Sequence, residues 1–195
     1  DLIMGIIKEL DSIILYGSAV QTNYHSYKDV DVLILTKKKL WNTLKEKYIL
    51  IKAIKKKAKD KDIDLDVNIM ENGEFYREYP SSPSLIYQLK DSKIIYGNIK
   101  IPKKAGLHNI DLKMKLDWSN IEDIEPEGAE IYQAIRNVIL VRLLLNKIVD
   151  NQKLKESLSD EIGKNLIEKL KKNKESKVER KIALNYLKEL SERTR

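Results

Sequence analysis

The chain has 195 residues, 42% of them hydrophobic, a formal net charge of +7 and no cysteine. That length suits one large domain or two small ones sharing an interface, and the missing cysteines exclude disulfides and thiolate metal sites. No apolar run reaches the roughly 20 residues of a membrane span, and no charged-then-apolar leader opens the sequence. The expectation is a cytoplasmic protein without a membrane partner. The lysine-rich balance favours nucleotides, nucleic acid or acidic proteins as partners, although ion-pair networks and plain compositional bias also produce it.

Leu2, Ile3, Ile6, Ile7 and Leu10 recur at helical intervals, predicting a first helix over Asp1 to Glu9. Ser12 to Leu35 then reads as a strand (Ile13 to Tyr16), a Gly17-Ser18 turn, a short polar segment and a second apolar strand. Asp29 and Asp31 stand at the entrance of that second strand. Carboxylates at i and i+2 of a strand project from one side. On a Val/Leu/Ile strand they repel each other and are costly to bury, and a divalent cation is the commonest remedy. Gly17 permits a tight turn and a close ligand approach. Ser18 is expected to cap a short helix over residues 19–23, whose free N–H groups would seat a phosphate. Strand-edge acids beside an ordinary turn are the competing reading. Acids placed directly before a Val-Leu-Ile-Leu run argue against it.

Thr36 is expected to cap a helix from Lys38 to Lys59 that turns Leu40, Trp41, Leu44, Tyr48, Ile51 and Ile54 or Ala58 to the sheet. Lys37 to Lys39 and Lys55 to Lys57 read as solvated basic clusters, with contact to an anionic substrate as the alternative. From Asp62 to Met70 polar and apolar residues alternate, predicting a strand with Asp62, Asp64, Asp66 and Asn68 on one face. Beside Asp29 and Asp31, this row could supply a third carboxylate.

Glu74 to Glu78 reads as a helical turn and Tyr79-Pro80-Ser81-Ser82-Pro83 as a breaker. Ser84 is then placed as the cap of a short helix, and Ile94 to Gly97 as an edge strand. Lys100 to Gly106 marks the domain boundary. Ile110, Leu112, Met114 and Leu116 alternate with charged residues, predicting a half-buried strand that leads to Trp118. The histidines, His25 and His108, lack ligand spacing and read as surface residues.

From Glu127 the period becomes helical. The expected helices are Glu127 to Val149, Ser159 to Lys172 and Ser176 to Arg193. Arg136 and Arg142 interrupt the first. They are read as solvated or acid-paired, with a triphosphate contact as the alternative.

Gly17-Ser18, ten residues, then Asp29-Val30-Asp31 among apolar neighbours resembles the signature of the DNA polymerase β-like nucleotidyltransferase superfamily. It is most similar to the minimal and kanamycin nucleotidyltransferase types. The resemblance implies an α+β fold, a small mixed sheet flanked by helices, followed by a C-terminal α-helical bundle. The implied domains are residues 1–100 and 107–195. It also implies that Asp29 and Asp31 bind catalytic Mg²⁺, two ions in all, and that Gly17 and Ser18 hold the triphosphate. The family's third acid lies about nine residues before a Glu-Phe pair, here Glu74-Phe75. That selects Asp66, with Asp64 as alternate, as metal ligand or general base.

The implied reaction moves an NMP group from an NTP, expected to be ATP, to a hydroxyl on a protein (antitoxin-like) or a small molecule. A non-catalytic nucleotide- or RNA-binding protein is the alternative. A homodimer and a weak nucleic-acid contact complete the expected partners. Gln21-Thr22 stands where small members often carry Arg-Gly, and Lys28 where many carry Ser.

Overall fold

The computed structural model describes residues 3–20, 29–102, 106–121 and 125–194. Gln21, Thr22, His25, Lys28 and most of the expected 19–23 helix therefore lie outside the described residues. The chain forms two compact units, Asp1–Gly106 and Leu107–Arg195.

The first unit is built on a four-stranded sheet in the order β3-β2-β1-β4. The strands are β1 (Leu10–Tyr16), β2 (Val30–Thr36), β3 (Leu65–Glu71) and β4 (Lys93–Tyr96). β1 runs antiparallel to β2 and β4, whereas β2 and β3 are parallel. A parallel pair needs a crossover, which α1 (Leu44–Lys59) provides. Ile54 and Ala58 of α1 are buried with Ile13, Val32, Ile34, Leu65, Val67 and Ile69. Two short helices follow, α2 (Asn72–Glu78) and α3 (Pro83–Leu89), and α2 packs on β2 and β3. β2 is central, and Val32, Leu33, Ile34 and Leu35 are all buried. A strand covered on both faces reads as a continuous apolar run.

Several expectations fail for identifiable reasons. The described part of the first segment makes turns, with Ile6 and Ile7 donating to the Ile3 carbonyl, and no helix forms. Gly5 and β-branched isoleucines are weak helix formers in so short a stretch. α1 is capped by Thr43, whose hydroxyl accepts from Glu46 N at 3.2 Å, while Glu46 accepts from Asn42 N at 2.7 Å. Thr36 instead ends β2, buried, and donates to the Met70 carbonyl. The later start leaves Leu44 and Tyr48 on the solvent side; Tyr48 is 64% exposed. β3 begins at Leu65 because Asp62 adopts a left-handed φ of +58° in the turn after α1. Asp62 therefore leaves the strand face, while exposed Asp66 and half-buried Asn68 alternate with buried Leu65, Val67 and Ile69 as expected. α2 starts at a Glu71/Glu74 capping box, and α3 is capped by Ser82 with Pro83 in its first turn, where Ser84 had been expected to cap.

The second unit is helical: α4 (Asn109–Asp117), α5 (Gly128–Leu145), α6 (Asn151–Ile162), α7 (Lys164–Lys171) and α8 (Lys177–Thr194). α5 is its centre and packs against each of the other four. The predicted 110–116 strand is α4. Leu112 and Leu116 lie one turn apart and are both buried, and Asp111 accepts from His108 N at 2.7 Å to cap the start. The expected 159–172 helix is divided at Gly163, which has φ +77°, and α6 begins earlier, at the Asp150 cap. Arg142 pairs with Glu161 at 2.6 Å. Glu161 also accepts from the Tyr186 hydroxyl, tying α5, α6 and α8 together. Among the described residues no helix is long and apolar enough to cross a membrane.

Ile54→Ala should lower unfolding free energy by about 2–5 kcal/mol, because it empties a packed core site. Tyr48→Ala should change it by less than about 0.5 kcal/mol. Chemical denaturation of both variants checks the phase of α1. The reverse ranking would put the Leu44/Tyr48 stripe on the sheet.

Candidate active site

The five residues singled out in the sequence converge at one end of the sheet. β1 ends at Tyr16, which pairs with Asp31 across the antiparallel ladder, and Asp31 pairs with Asp66 across the parallel one. In-register neighbours on adjacent strands point to the same face, so Asp31 and Asp66 stand side by side. Asp29 lies just before β2, two residues from Asp31. Asp64 precedes β3, and its carbonyl accepts from Val30 N at 2.8 Å. That backbone bond fixes the parallel register and leaves Asp66, not Asp64, opposite Asp31.

Gly17 follows Tyr16 with φ +69°, a conformation that side chains with a Cβ rarely adopt. A Cβ there would lie 1.9 Å from Asp31 Oδ2 and 2.8 Å from its Cγ. The Asp31 carboxylate therefore rests directly against the glycine backbone. Ser18 is the second residue of a 3₁₀ turn, Gly17–Val20. The helix it was expected to cap, residues 19–23, lies mostly outside the described residues.

The acids repel one another in a half-buried position. Burial pushes the Asp31 carboxyl up to about 6, and the charges of Asp29 and then Asp66 add to the shift. The buried Tyr16 phenol is pushed up by burial and by the charges of Asp31 and Asp66. Asp66 has a partner that the sequence did not reveal: Lys55 of α1 reaches it at 3.2 Å. Both side chains are largely exposed, so the pair is worth only ~0–1 kcal/mol and can exchange for another cation. Lys55 had been read as part of a solvated cluster. Nothing local links it to a strand residue eleven positions on; only the packing of α1 along β3 does.

Among the described residues no group of three or more acids or histidines is placed to hold a metal ion. The site nonetheless suits a hard cation. Its carboxylate oxygens repel one another around Asp31, and Mg²⁺ commonly takes one or two carboxylates and completes its shell with water and substrate phosphates.

The raised Asp31 value fixes the sign of a pH effect. The native state keeps this proton up to about pH 6, whereas an ordinary aspartate loses it near 3.8. Stability contributed by the neutral form is therefore lost as pH rises from 3.8 to about 6. Asp31→Asn should raise the melting temperature at pH 7–8 without added metal, and the gain should vanish near pH 4. Gly17→Ala should lower the unfolding free energy at every pH, by roughly 1–3 kcal/mol or more, through backbone strain and the carboxylate clash. Thermal melts across pH check both.

Comparisons with known proteins bear on the family and the fold. Residues 3–96 match the family model described as nucleotidyltransferase domain. No curated protein was found to match the sequence. Among solved structures, a spectinomycin adenyltransferase, AAD(9) from Enterococcus faecialis, crystallised with ATP and spectinomycin, aligns at 17% identity. The alignment covers 96% of this chain and 92% of that one with a TM-score of 0.57, a likeness of fold. A toxin–antitoxin structure with AMP-PNP aligns at 19% identity over 80% of this chain and 92% of that one, at a TM-score of 0.35 too loose to inform the site. The family match spans the whole acid-bearing sheet, so residues 3–96 are similar in sequence to a nucleotidyltransferase domain.

Proposed function

We propose that this protein is a metal-dependent nucleotidyltransferase that moves an NMP group from an NTP, taken to be ATP, to a hydroxyl acceptor. The observation that carries the reading is the register that sets Asp31 beside Asp66 and against Gly17, with Asp29 two residues away. Three carboxylates at one strand end weaken a metal-free fold, and a bound cation would reverse that penalty.

In this reading Asp29 and Asp31 hold Mg²⁺, with Asp66 as a further ligand or as the base that takes the acceptor's hydroxyl proton. When bound, the metal would neutralise charge on the phosphates and on the leaving pyrophosphate. Gly17 contributes the absence of a side chain, which lets a triphosphate approach the backbone beside Asp31. Ser18 contributes a hydroxyl at the same turn. Lys55 orients Asp66 until an acceptor arrives.

The acceptor is a small molecule or a protein. The fold likeness to an adenyltransferase crystallised with ATP and spectinomycin supports ATP and keeps a small hydroxyl compound among the acceptors. The second reading is a nucleotide- or RNA-binding protein that keeps the fold without catalysis. The Lys-rich surface of α1 favours it, and the acid triad does not, because binding alone does not require it.

The test is transfer of label from α-labelled NTPs, with Mg²⁺ or Mn²⁺, into protein, RNA and small-molecule fractions of a cell lysate. Wild type should transfer label, with a loss of at least about 100-fold in Asp29→Asn/Asp31→Asn. RNA binding that is steeply salt-dependent and unchanged in Asp31→Asn, without transfer, would select the second reading.

A further inference from the structure

The three acids at the end of the sheet are not equivalent. Of the two charges that raise Asp31, that of Asp29 weighs more than that of Asp66. Asp66 stands on β3, an edge strand, and its side chain is 58% exposed. Among the described residues no three acids are placed to hold one ion together. Asp29 and Asp31 are thus the pair for a shared cation, and Asp66 stands to one side as the anchor for a second.

That second place already has a cation. Ile54 and Ala58 bury one face of α1 against the sheet, and Lys55, the residue after Ile54, extends along the open edge of β3. Its ammonium lies 3.2 Å from Asp66 Oδ1. Among the described residues Asp29 and Asp31 make no ion pair, so the chain supplies counter-charge to Asp66 alone. Position on the helix selects this lysine. Successive residues are about 100° apart around an α-helix. Lys56, two steps from Ile54, therefore points away from the sheet and is exposed.

An ammonium and a divalent ion are alternatives at Asp66. A dication there would share the carboxylate with Lys55 and sit beside a like charge, so it enters by displacing the lysine. The flexible stem and the exposed setting make that displacement possible. The ion at Asp29 and Asp31 meets no such competitor, because those carboxylates have only their mutual repulsion to lose.

We propose that Lys55 governs the second metal position: it occupies Asp66 in place of an ion, so that one divalent cation fills the site at Asp29 and Asp31 and a second is admitted only as the lysine is displaced. The inference rests on the nucleotidyltransferase reading above. It makes Lys55 a positioning residue that sets metal stoichiometry.

The test titrates Mn²⁺ into the full chain with a non-hydrolysable ATP analogue. Free ion is read by electron paramagnetic resonance, with the analogue alone as the blank. Wild type should bind one ion and a second only more weakly. Lys55→Met should tighten the second ion at least about fivefold, the factor that corresponds to an exposed ion pair at its upper strength. The first ion should change far less. Lys56→Met removes the same charge from the next position of α1 and should behave as wild type, as should Lys55→Arg, which keeps the competing cation. Circular dichroism should be the same for all four proteins. Dipolar broadening of the bound signal reports whether the second ion sits beside the first.

Two ions of equal affinity in wild type overturn the proposal. So does a Lys55→Met protein that matches Lys56→Met, or one that binds the second ion more weakly than wild type. Each of these results leaves the metal reading standing. A wild type that holds no Mn²⁺ beyond the blank overturns the proposal together with the metal-dependent nucleotidyltransferase reading.

Discussion

The parallel pairing of β2 with β3 is the contact on which the rest of the first unit depends. It requires a crossover, which α1 supplies, and it buries Val32 to Leu35 on both faces. It also fixes which acid of β3 stands beside Asp31, through the Val30 N–H bond to the Asp64 carbonyl. A slip of one residue would turn Asp66 toward the apolar core and Leu65 toward the acids. Burial of Leu65, Val67 and Ile69 forbids that slip, so the hydrophobic core holds the carboxylates in register.

The same arrangement works against the stability of the unit that carries it. Asp31 is half-buried beside two other carboxylates, with Gly17 packed so closely that no side chain fits between. Such local conflict persists only where the surrounding structure over-determines it. Here the ladder on both sides of β2 and the core beneath it provide that determination. Lys55 relieves part of the repulsion from outside the sheet. An exposed lysine on a flexible stem is a weak and replaceable counter-ion, suited to a site expected to exchange charge with a ligand.

The second unit is held differently. α5 is apolar on most of its surface and serves as the axis on which four other helices pack. Its polar interruptions are used internally: Arg142 is bound by Glu161, which also receives the Tyr186 hydroxyl. That network spans three helices and accounts for Arg142 without any ligand. Burial, and then the charge of its neighbour Arg136, pulls the Lys115 ammonium down.

Much of the proposed site was legible in the sequence because it is made of short-range features. A Gly-Ser turn, two acids at i and i+2, and a strictly alternating strand are local patterns, and local sterics and burial dictate them. The choice of Asp66 over Asp64, the Lys55 contact and the phase of α1 were not legible in this way. They depend on strand register and on where an N-cap starts a helix, and neither is visible in periodicity alone. The 110–116 segment marks the limit most clearly. Its alternation satisfies both a strand with one apolar face and a helix with two, and only packing of Leu112 and Leu116 in the α4–α5 layer decides between them. By itself the sequence determined the turn, the acids and the helical character of the C-terminal half. Tertiary structure decided which groups meet, because strand pairing and helix packing join residues that are distant along the chain.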